Sequence, residues 1–313
     1  MLGLNCHHCC MNYSLLDRFR GAWLGAVVGQ QMCDLSEAEA LRYRQPRQTN
    51  KNQIVFADSI QKLWLEWSIA EIRSMSQAQK LSDSWQRSHG ELKASTIALW
   101  LLPIILYHHD NWFSLADFLA RTKKQQFSEE SDLILVWCYT IRLALRGELQ
   151  PEGLAHRVML GTQLKPKASI EWLKKVEVSC LRGFDSNQLI AELLPMKDRE
   201  IPLALFCFLS NPQDFSLTTQ QALSLERQAV NVTALSATLS GAYNGITGIA
   251  IEYREEQNQG FYRPMMNKTE DMIKEWGGID FAKDFQTVPS VITAPKVLQS
   301  RSGLRIISQQ EYV

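Results

Sequence analysis

The sequence has no excess of charge of either sign and no long apolar run. Its 33 basic and 33 acidic residues give a formal net charge of zero over 313 residues. A balanced chain offers no basic surface, so we predict neither nucleic acid nor a membrane as a partner. The stretch from Ala98 to Tyr107 contains Pro103 and is too short to cross a bilayer. No secretory signal pattern opens the sequence, which predicts a cytoplasmic protein.

Motifs of several enzyme classes are missing as well. The sequence has no glycine-rich phosphate loop, nucleophile elbow or spaced zinc motif. The run from Cys6 to Cys10, Cys-His-His-Cys-Cys, cannot point all its side chains at one ion, and residues 1–11 are predicted as a flexible extension. The adjacent His108 and His109 diverge on a helix and predict a solvent-exposed helix end. The dispersed cysteines are predicted to be reduced thiols: Cys33, Cys138, Cys180 and Cys207.

What the sequence does contain is helical periodicity along most of its length. Apolar residues recur three and four positions apart, for example over residues 15–27 and over a predicted helix at 58–75. No alternation typical of strands precedes residue 287. We therefore predict an all-α fold, a single compact helical bundle over residues 12–286, followed by an extended tail at 287–313. The predicted helix N-caps are Ser114, Ser128, Ser169, Ser186, Ser216 and Thr269.

Three glycines recur every fourth residue on the first predicted helix. These are Gly21, Gly25 and Gly29. Glycine within a helix costs about 1 kcal/mol relative to alanine, so a stripe of three indicates a compensating contact. Gly241 and Gly245 show the same four-residue spacing on a second helix. We predict that these two helices pack with their backbones unusually close together.

Several segments, taken in order, resemble one enzyme family. The first glycine segment reads Arg18-Phe-Arg-Gly-Ala-Trp-Leu-Gly-Ala-Val-Val-Gly29, and a later one reads Phe56-Ala-Asp-Ser59. An apolar run begins at Ile201-Pro-Leu-Ala-Leu and leads into the segment over residues 226–245. Together these segments, spanning about residues 15–250, resemble the ADP-ribosylglycohydrolase family. The resemblance implies an orthogonal all-α bundle and a hydrolase that holds two magnesium ions between two aspartate motifs.

The first aspartate motif is only partly present. The family reads Thr-Asp-Asp-Thr where this chain has Phe56 to Ser59, so the resemblance places its aspartates on Ala57 and Asp58 and its threonine on Ser59. The aspartate that follows the family's opening segment is replaced by Gln30. Asp58 also fits an ordinary structural role, as an N-cap paired with Gln61.

The second aspartate motif has lost both aspartates. The family reads Gly-Gly-Asp-Thr-Asp-Thr, and counting back from the glycine at the end of the helix places the aspartates on Gln228 and Val230. The final threonine falls on Asn231. Glu226 is a nearby acid outside the motif, and Arg227 is a candidate partner for a diphosphate.

These replacements bear directly on metal binding. Magnesium prefers oxygen ligands, and two adjacent dications need several carboxylates, whereas the family positions supply only Asp58. We therefore expect no cofactor, with magnesium bound only if the family site is partly functional. An ADP-ribose-like or nucleotide ligand is the predicted small-molecule partner. The residues predicted to contact it are Gln30, Asp58, Ser59, Arg227 and Asn231.

Three functions remain open from the sequence. The first is a binding or regulatory pseudoenzyme that has lost the dinuclear site and serves an unknown protein partner. The second is an active hydrolase of ADP-ribosyl bonds with a rebuilt site, which a second Asp or Glu near Asp58 would favour. The third is a structural interaction module, which a cleft filled by Trp100, Val230 or the tail would favour.

Overall fold

The fold of this chain, given by a computed structural model, is all-α in every part that the structure describes, as predicted. The described residues are 13–43, 64–75, 93–126, 131–163, 168–182, 186–193, 196, 198–225, 230–256 and 262–278. They form fourteen α-helices and one 3₁₀ turn, and no strand occurs among them. The helices are α1 (Leu15–Tyr43), α2 (Ile69–Ser74), α3 (Ala94–Trp100), α4 (Leu102–Tyr107), α5 (Trp112–Gln126), α6 (Ser131–Leu145), α7 (Leu154–Thr162), α8 (Ala168–Arg182), α9 (Ser186–Leu193), α10 (Glu200–Ser210), α11 (Phe215–Leu225), α12 (Val230–Asn244), α13 (Ile251–Glu256) and α14 (Tyr262–Gly277), with the 3₁₀ turn at Ile246–Gly248.

The closest packing in the fold joins α1 to α12, as the glycine spacing predicts. A Cβ placed on Gly21 would collide with the backbone of Gly241, and one on Gly25 would collide with the carbonyl group of Ala237. One placed on Gly29 would lie 2.7 Å from the Cα of Ala234. The pairing runs in opposite directions along the two helices, so they are antiparallel. The glycines are therefore required where one backbone lies directly on another.

Helix α12 is the central helix of the bundle and contacts α1, α3, α6, α10 and α11. Two of its buried hydroxyl groups donate within the helix: Ser236 donates to the carbonyl of Val232 at 2.7 Å, and Thr238 donates to that of Ala234 at 2.6 Å. Because these small side chains satisfy their own polar groups, the helix can be buried on several sides. This position brings the N-terminus of α12 beside those of α3 and α10.

The prediction of one continuous helix over residues 58–75 is wrong in the part that the structure describes. Residues 64–66 are helical, but the chain bends and α2 begins after Ser68. The Ser68 hydroxyl accepts a hydrogen bond from the Glu71 amide at 3.2 Å, and the Glu71 carboxylate accepts one from the Ser68 amide at 2.9 Å. This reciprocal capping box starts a new helix at a point where apolar periodicity alone predicts continuity.

The structure describes the side-chain hydrogen bonds at three of the predicted N-caps, and all three caps are displaced. The N-cap of α5 is Asn111, whose side chain accepts from the amide of Ser114 at 3.2 Å. Asp214 caps α11 in the same way, rather than Ser216. Thr269 lies inside α14 and donates its hydroxyl to the carbonyl of Met265 at 2.8 Å. In the first two cases an Asn or Asp earlier in the sequence takes the capping position.

The histidine pair lies at a helix end as predicted, with His108 as the half-buried C-cap of α4, but it is not fully exposed to solvent. His109 is buried, and its Nδ1 lies 2.9 Å from the carbonyl oxygen of Leu106. Its ring also packs against Phe19 at 5.3 Å and Trp276 at 4.9 Å between centroids. The aromatic neighbours make this histidine part of the core.

Two further sequence predictions concern cysteines and chain ends. The four dispersed cysteines are free thiols, as predicted. Residues 1–11, with the Cys-His run, and the tail at 287–313 lie outside the described residues, and so do the exact bounds of the predicted domain. None of the helices described by the structure is both long enough and apolar enough to span a membrane.

Candidate functional site

The described part of the candidate site contains two of the predicted ligand-binding residues, Gln30 and Asn231. Val230 is the first residue of α12, where the structure describes the backbone. The remaining predicted positions lie outside the described residues: Ala57, Asp58, Ser59, Arg227 and Gln228. Glu226, the nearby acid outside the motif, lies outside them too. The geometry of the site is therefore built outward from Asn231.

Asn231 lies in the first turn of α12 and joins three helix N-termini. Its amide nitrogen Nδ2 donates towards the hydroxyl oxygens of Ser95 at 3.0 Å and Thr96 at 3.3 Å, both in the first turn of α3. The same nitrogen lies 3.1 Å from Oε2 of Glu200, the first residue of α10. Ser95 also donates its hydroxyl to the Glu200 carboxylate. We call Lys93, Ser95, Thr96, Glu200 and Asn231 the polar cluster.

Glu200 is the charged centre of the polar cluster. Its Oε1 lies 2.7 Å from Nζ of Lys93, the residue that precedes α3. The Glu200 side chain is only 12% exposed, whereas that of Lys93 is 62% exposed. Burial alone would raise the pKa of this carboxyl, but the hydrogen bonds from Lys93, Ser95 and Asn231, with the charge of Lys93, outweigh it. The pKa of Glu200 is therefore lowered, and the group is ionised at neutral pH.

Gln30 lies at the same end of the bundle as Asn231. It follows Gly29 on α1, and Gly29 packs against Thr233 and Ala234 in the first turns of α12. The Gln30 side chain is buried, with 1% of its surface exposed. The structure thus places two of the predicted ligand contacts near the N-terminus of α12. They are the amide side chains of Gln30 on α1 and Asn231 on α12.

Trp100 lies at the other end of α3 from the polar cluster and belongs to the aromatic core. Its carbonyl oxygen accepts a hydrogen bond from Nε1 of Trp64 at 3.4 Å, and Trp64 stacks on Trp23 with centroids 6.1 Å apart. All three tryptophans are buried. The core role of Trp100 is thus established within the described residues, while its proposed role as a cleft plug stays a prediction.

Sequence reasoning missed Lys93 and Glu200. Each stands directly before or at the start of an apolar run, where a charged residue is ordinarily solvated or interacts with the helix dipole. The missed signal is that both runs are buried completely, since every residue of α3 and the first ten residues of α10 are buried. A charge at the front of such a helix needs a partner from another element.

The polar cluster does not fit a pair of magnesium ions. Within the described residues it offers one carboxylate, Glu200, and hydrogen bonds from Lys93, Ser95 and Asn231 already occupy both of its oxygens. No group of three or more His, Cys, Asp or Glu side chains able to hold a metal ion occurs in the described part of the chain. A dinuclear site would need more carboxylate oxygen than these side chains supply.

The fold and the cluster define an all-α protein with a polar site at the N-termini of buried helices. The sequence model of the ADP-ribosylglycohydrolase family matches residues 34–280. The chain belongs to the ADP-ribosylglycohydrolase family. The matched region begins after the segment from Arg18 to Gly29. The resemblance of that segment to the family therefore comes from its sequence and not from this match. Comparison with curated proteins and with solved structures found no match.

Proposed function

We propose that this member of the ADP-ribosylglycohydrolase family binds an ADP-ribose-like ligand without the two magnesium ions of the family and acts as a binding or regulatory protein. The observation that carries the proposal is the role of Asn231. The resemblance places this residue on the last position of the second aspartate motif, and here its amide nitrogen faces Glu200. An N–H donor aimed at a carboxylate is the opposite of a metal ligand, which must offer an oxygen lone pair.

The balance of charge supports a site without magnesium. Of the family's aspartate positions, Ala57, Gln228 and Val230 carry no charge, and Asp58 is the acid that remains. The carboxylate that the fold adds, Glu200, is neutralised by the Lys93 ammonium 2.7 Å away. Two dications placed beside these groups would lack the negative charge that a two-metal site requires.

The candidate ligand-binding residues suit a sugar and a diphosphate. Ser59 and Asn231 bear hydroxyl and amide groups, which bond to ribose hydroxyls as donors or acceptors, whereas the predicted contact Gln30 is buried. Arg227 provides a planar guanidinium that pairs with phosphate oxygens. This set recognises a ligand by hydrogen bonds and one pairing of charges, and needs no metal bridge.

Calorimetric titration with ADP-ribose tests the proposal. We expect the same dissociation constant in magnesium and in EDTA, and a weakening of roughly tenfold in Asn231→Ala, since one lost hydrogen bond to a polar ligand is worth about 1.5 kcal/mol. The exposed amide of Gln188 provides the control variant Gln188→Ala, which should bind as the wild type does. We also expect no release of ADP-ribose from modified arginine or serine. Robust turnover that EDTA abolishes would overturn the proposal.

A second candidate function is an active hydrolase with a rebuilt site, and Glu200 is the observation that favours it. This buried, ionised carboxylate beside Asn231 is of the residue type that serves as a general base. Assays of ADP-ribose release from modified arginine or serine, run in the presence of EDTA, distinguish this hydrolase from the binding protein. Turnover that survives EDTA but is lost in Glu200→Gln would favour the hydrolase. A protein that neither binds nor turns over ADP-ribose would favour a structural interaction module.

A further inference from the structure

We propose that the Lys93 ammonium is a built-in cation, which supplies at the Asn231 end of the family's site the positive charge that a metal ion would otherwise supply. The inference rests on the proposed function in one respect, the equivalence of Asn231 with the last position of the family's second motif. It adds a specific prediction: removing the ammonium should expose a site for a divalent cation.

The geometry gives each oxygen of Glu200 a separate set of donors. Oε1 accepts from the Lys93 ammonium at 2.7 Å, while Oε2 accepts from Ser95 and from Asn231. The ammonium therefore holds one side of the carboxylate by itself. No other charged side chain among the described residues forms an ion pair with Glu200.

The contrast in exposure shows that Lys93 reaches inward from the surface. Its side chain is 62% exposed, and the carboxylate that it contacts is 12% exposed. Lys93 occupies the N-cap position of α3, where its ammonium cannot accept a hydrogen bond from the helix amides because it has no lone pair. Its ammonium instead contacts a carboxylate that belongs to another helix, as a bound cation would.

The polar cluster contains oxygen atoms of the kind that bind hard cations. Besides the Glu200 carboxylate, it holds the hydroxyl oxygens of Ser95 and Thr96. Carboxylate and hydroxyl oxygens both serve as ligands of magnesium. Without Lys93 the buried Glu200 carboxylate lacks its charged partner, which is unfavourable unless another cation replaces the ammonium.

A surface ion pair of similar separation provides the matched control. Arg73 and Glu275 lie 3.1 Å apart, and the Arg73 side chain is 59% exposed, close to the value for Lys93. Its acidic partner is 37% exposed rather than 12%. The two pairs thus differ chiefly in how deeply the carboxylate is buried, and exposed pairs contribute little to stability.

The experiment is thermal unfolding of the full chain, with magnesium chloride alone as the probe. We expect Lys93→Met to lower Tm by several degrees in EDTA and millimolar magnesium to restore at least half of that loss. The wild type and the control Arg73→Met should have the same Tm in EDTA and in magnesium. A Lys93→Met protein as stable as Arg73→Met, or one destabilised but indifferent to magnesium and calcium, would overturn the proposal.

The double variant Lys93→Met/Glu200→Gln keeps the test decisive if the single variant does not fold. With both charges removed, the protein should be more stable than Lys93→Met and should not respond to magnesium. A double variant that responds as strongly as Lys93→Met, or that fails to fold as the single variant does, would place the effect elsewhere and overturn the proposal. None of these measurements uses ADP-ribose. A failure of the Lys93 proposal is therefore distinguishable from a failure of ligand binding.

Discussion

The two ends of α12 are built in different ways. Towards its C-terminus, Gly241 meets Gly21 of α1 with no side chain between the backbones. At its N-terminus, Asn231 joins two other helices through side-chain hydrogen bonds to Ser95 and Glu200. One end depends on the absence of side chains and the other on their polar groups. The first fixes how α1 packs on α12, and the second holds the polar cluster on which the proposed function rests.

The largest effect is expected where the backbones touch. Gly25→Leu should lower the free energy of unfolding by ~3 kcal/mol or more, because the new side chain collides with the Ala237 carbonyl and forces α1 away. Urea denaturation measures this change. The control Ala70→Leu adds the same side chain at an exposed helical position. If Gly25→Leu and Ala70→Leu were equally stable, the close backbone contact would have no special effect on stability. The two ends of α12 would then not differ in this respect.

A smaller effect is expected from the polar end. Asn231→Leu removes the nitrogen that donates to Glu200 and to the two hydroxyls of α3. We expect a loss of about 2 kcal/mol, because buried acceptors are left without a donor. Gln188→Leu, which changes an exposed amide, serves as the control in urea denaturation. If both leucine variants unfold alike, the hydrogen bonds of Asn231 contribute nothing to stability.

The same contrast explains what could be predicted from the sequence. Glycines at four-residue spacing are a local signal, and it predicted the contact between α1 and α12 correctly. The polar cluster joins residues that are far apart in sequence: Lys93 and Glu200 are separated by 107 positions, and Ser95 and Asn231 by 136. No local pattern states which helix ends meet, so Glu200 was missed even though Asn231 was selected.

Local capping is an intermediate case, since its signal is local but short. The Ser68 and Glu71 pair has the spacing of a capping box, yet the apolar periodicity around it predicted one continuous helix. Ser68→Ala should cost about 1 kcal/mol, as N-cap removal usually does. The control Ser74→Ala changes an exposed serine at the end of the same helix. Urea denaturation compares the two, and a larger loss for Ser74→Ala would contradict the assigned cap.

The smallest expected effect is a pH dependence that belongs to the polar end of α12. The pKa of Glu200 is lowered from its ordinary value of 4.5 because the hydrogen bonds and charge of its neighbours outweigh its burial. The folded protein therefore binds this proton less readily than the unfolded chain does. The stability that ionised Glu200 contributes is fully present above pH 4.5 and is lost as the pH falls through its lower folded value.

The Glu200→Gln variant lacks this contribution at every pH, because glutamine does not titrate. We expect the variant to be less stable than the wild type at pH 7 and the difference to narrow as the pH falls below 4.5. Urea denaturation across this range measures the narrowing, and acid effects of other carboxylates cancel because both proteins share them. Glu275→Gln, which removes an exposed carboxylate paired with Arg73, serves as the control variant. A constant difference between Glu200→Gln and the wild type would show that the carboxylate charge does not stabilise the cluster.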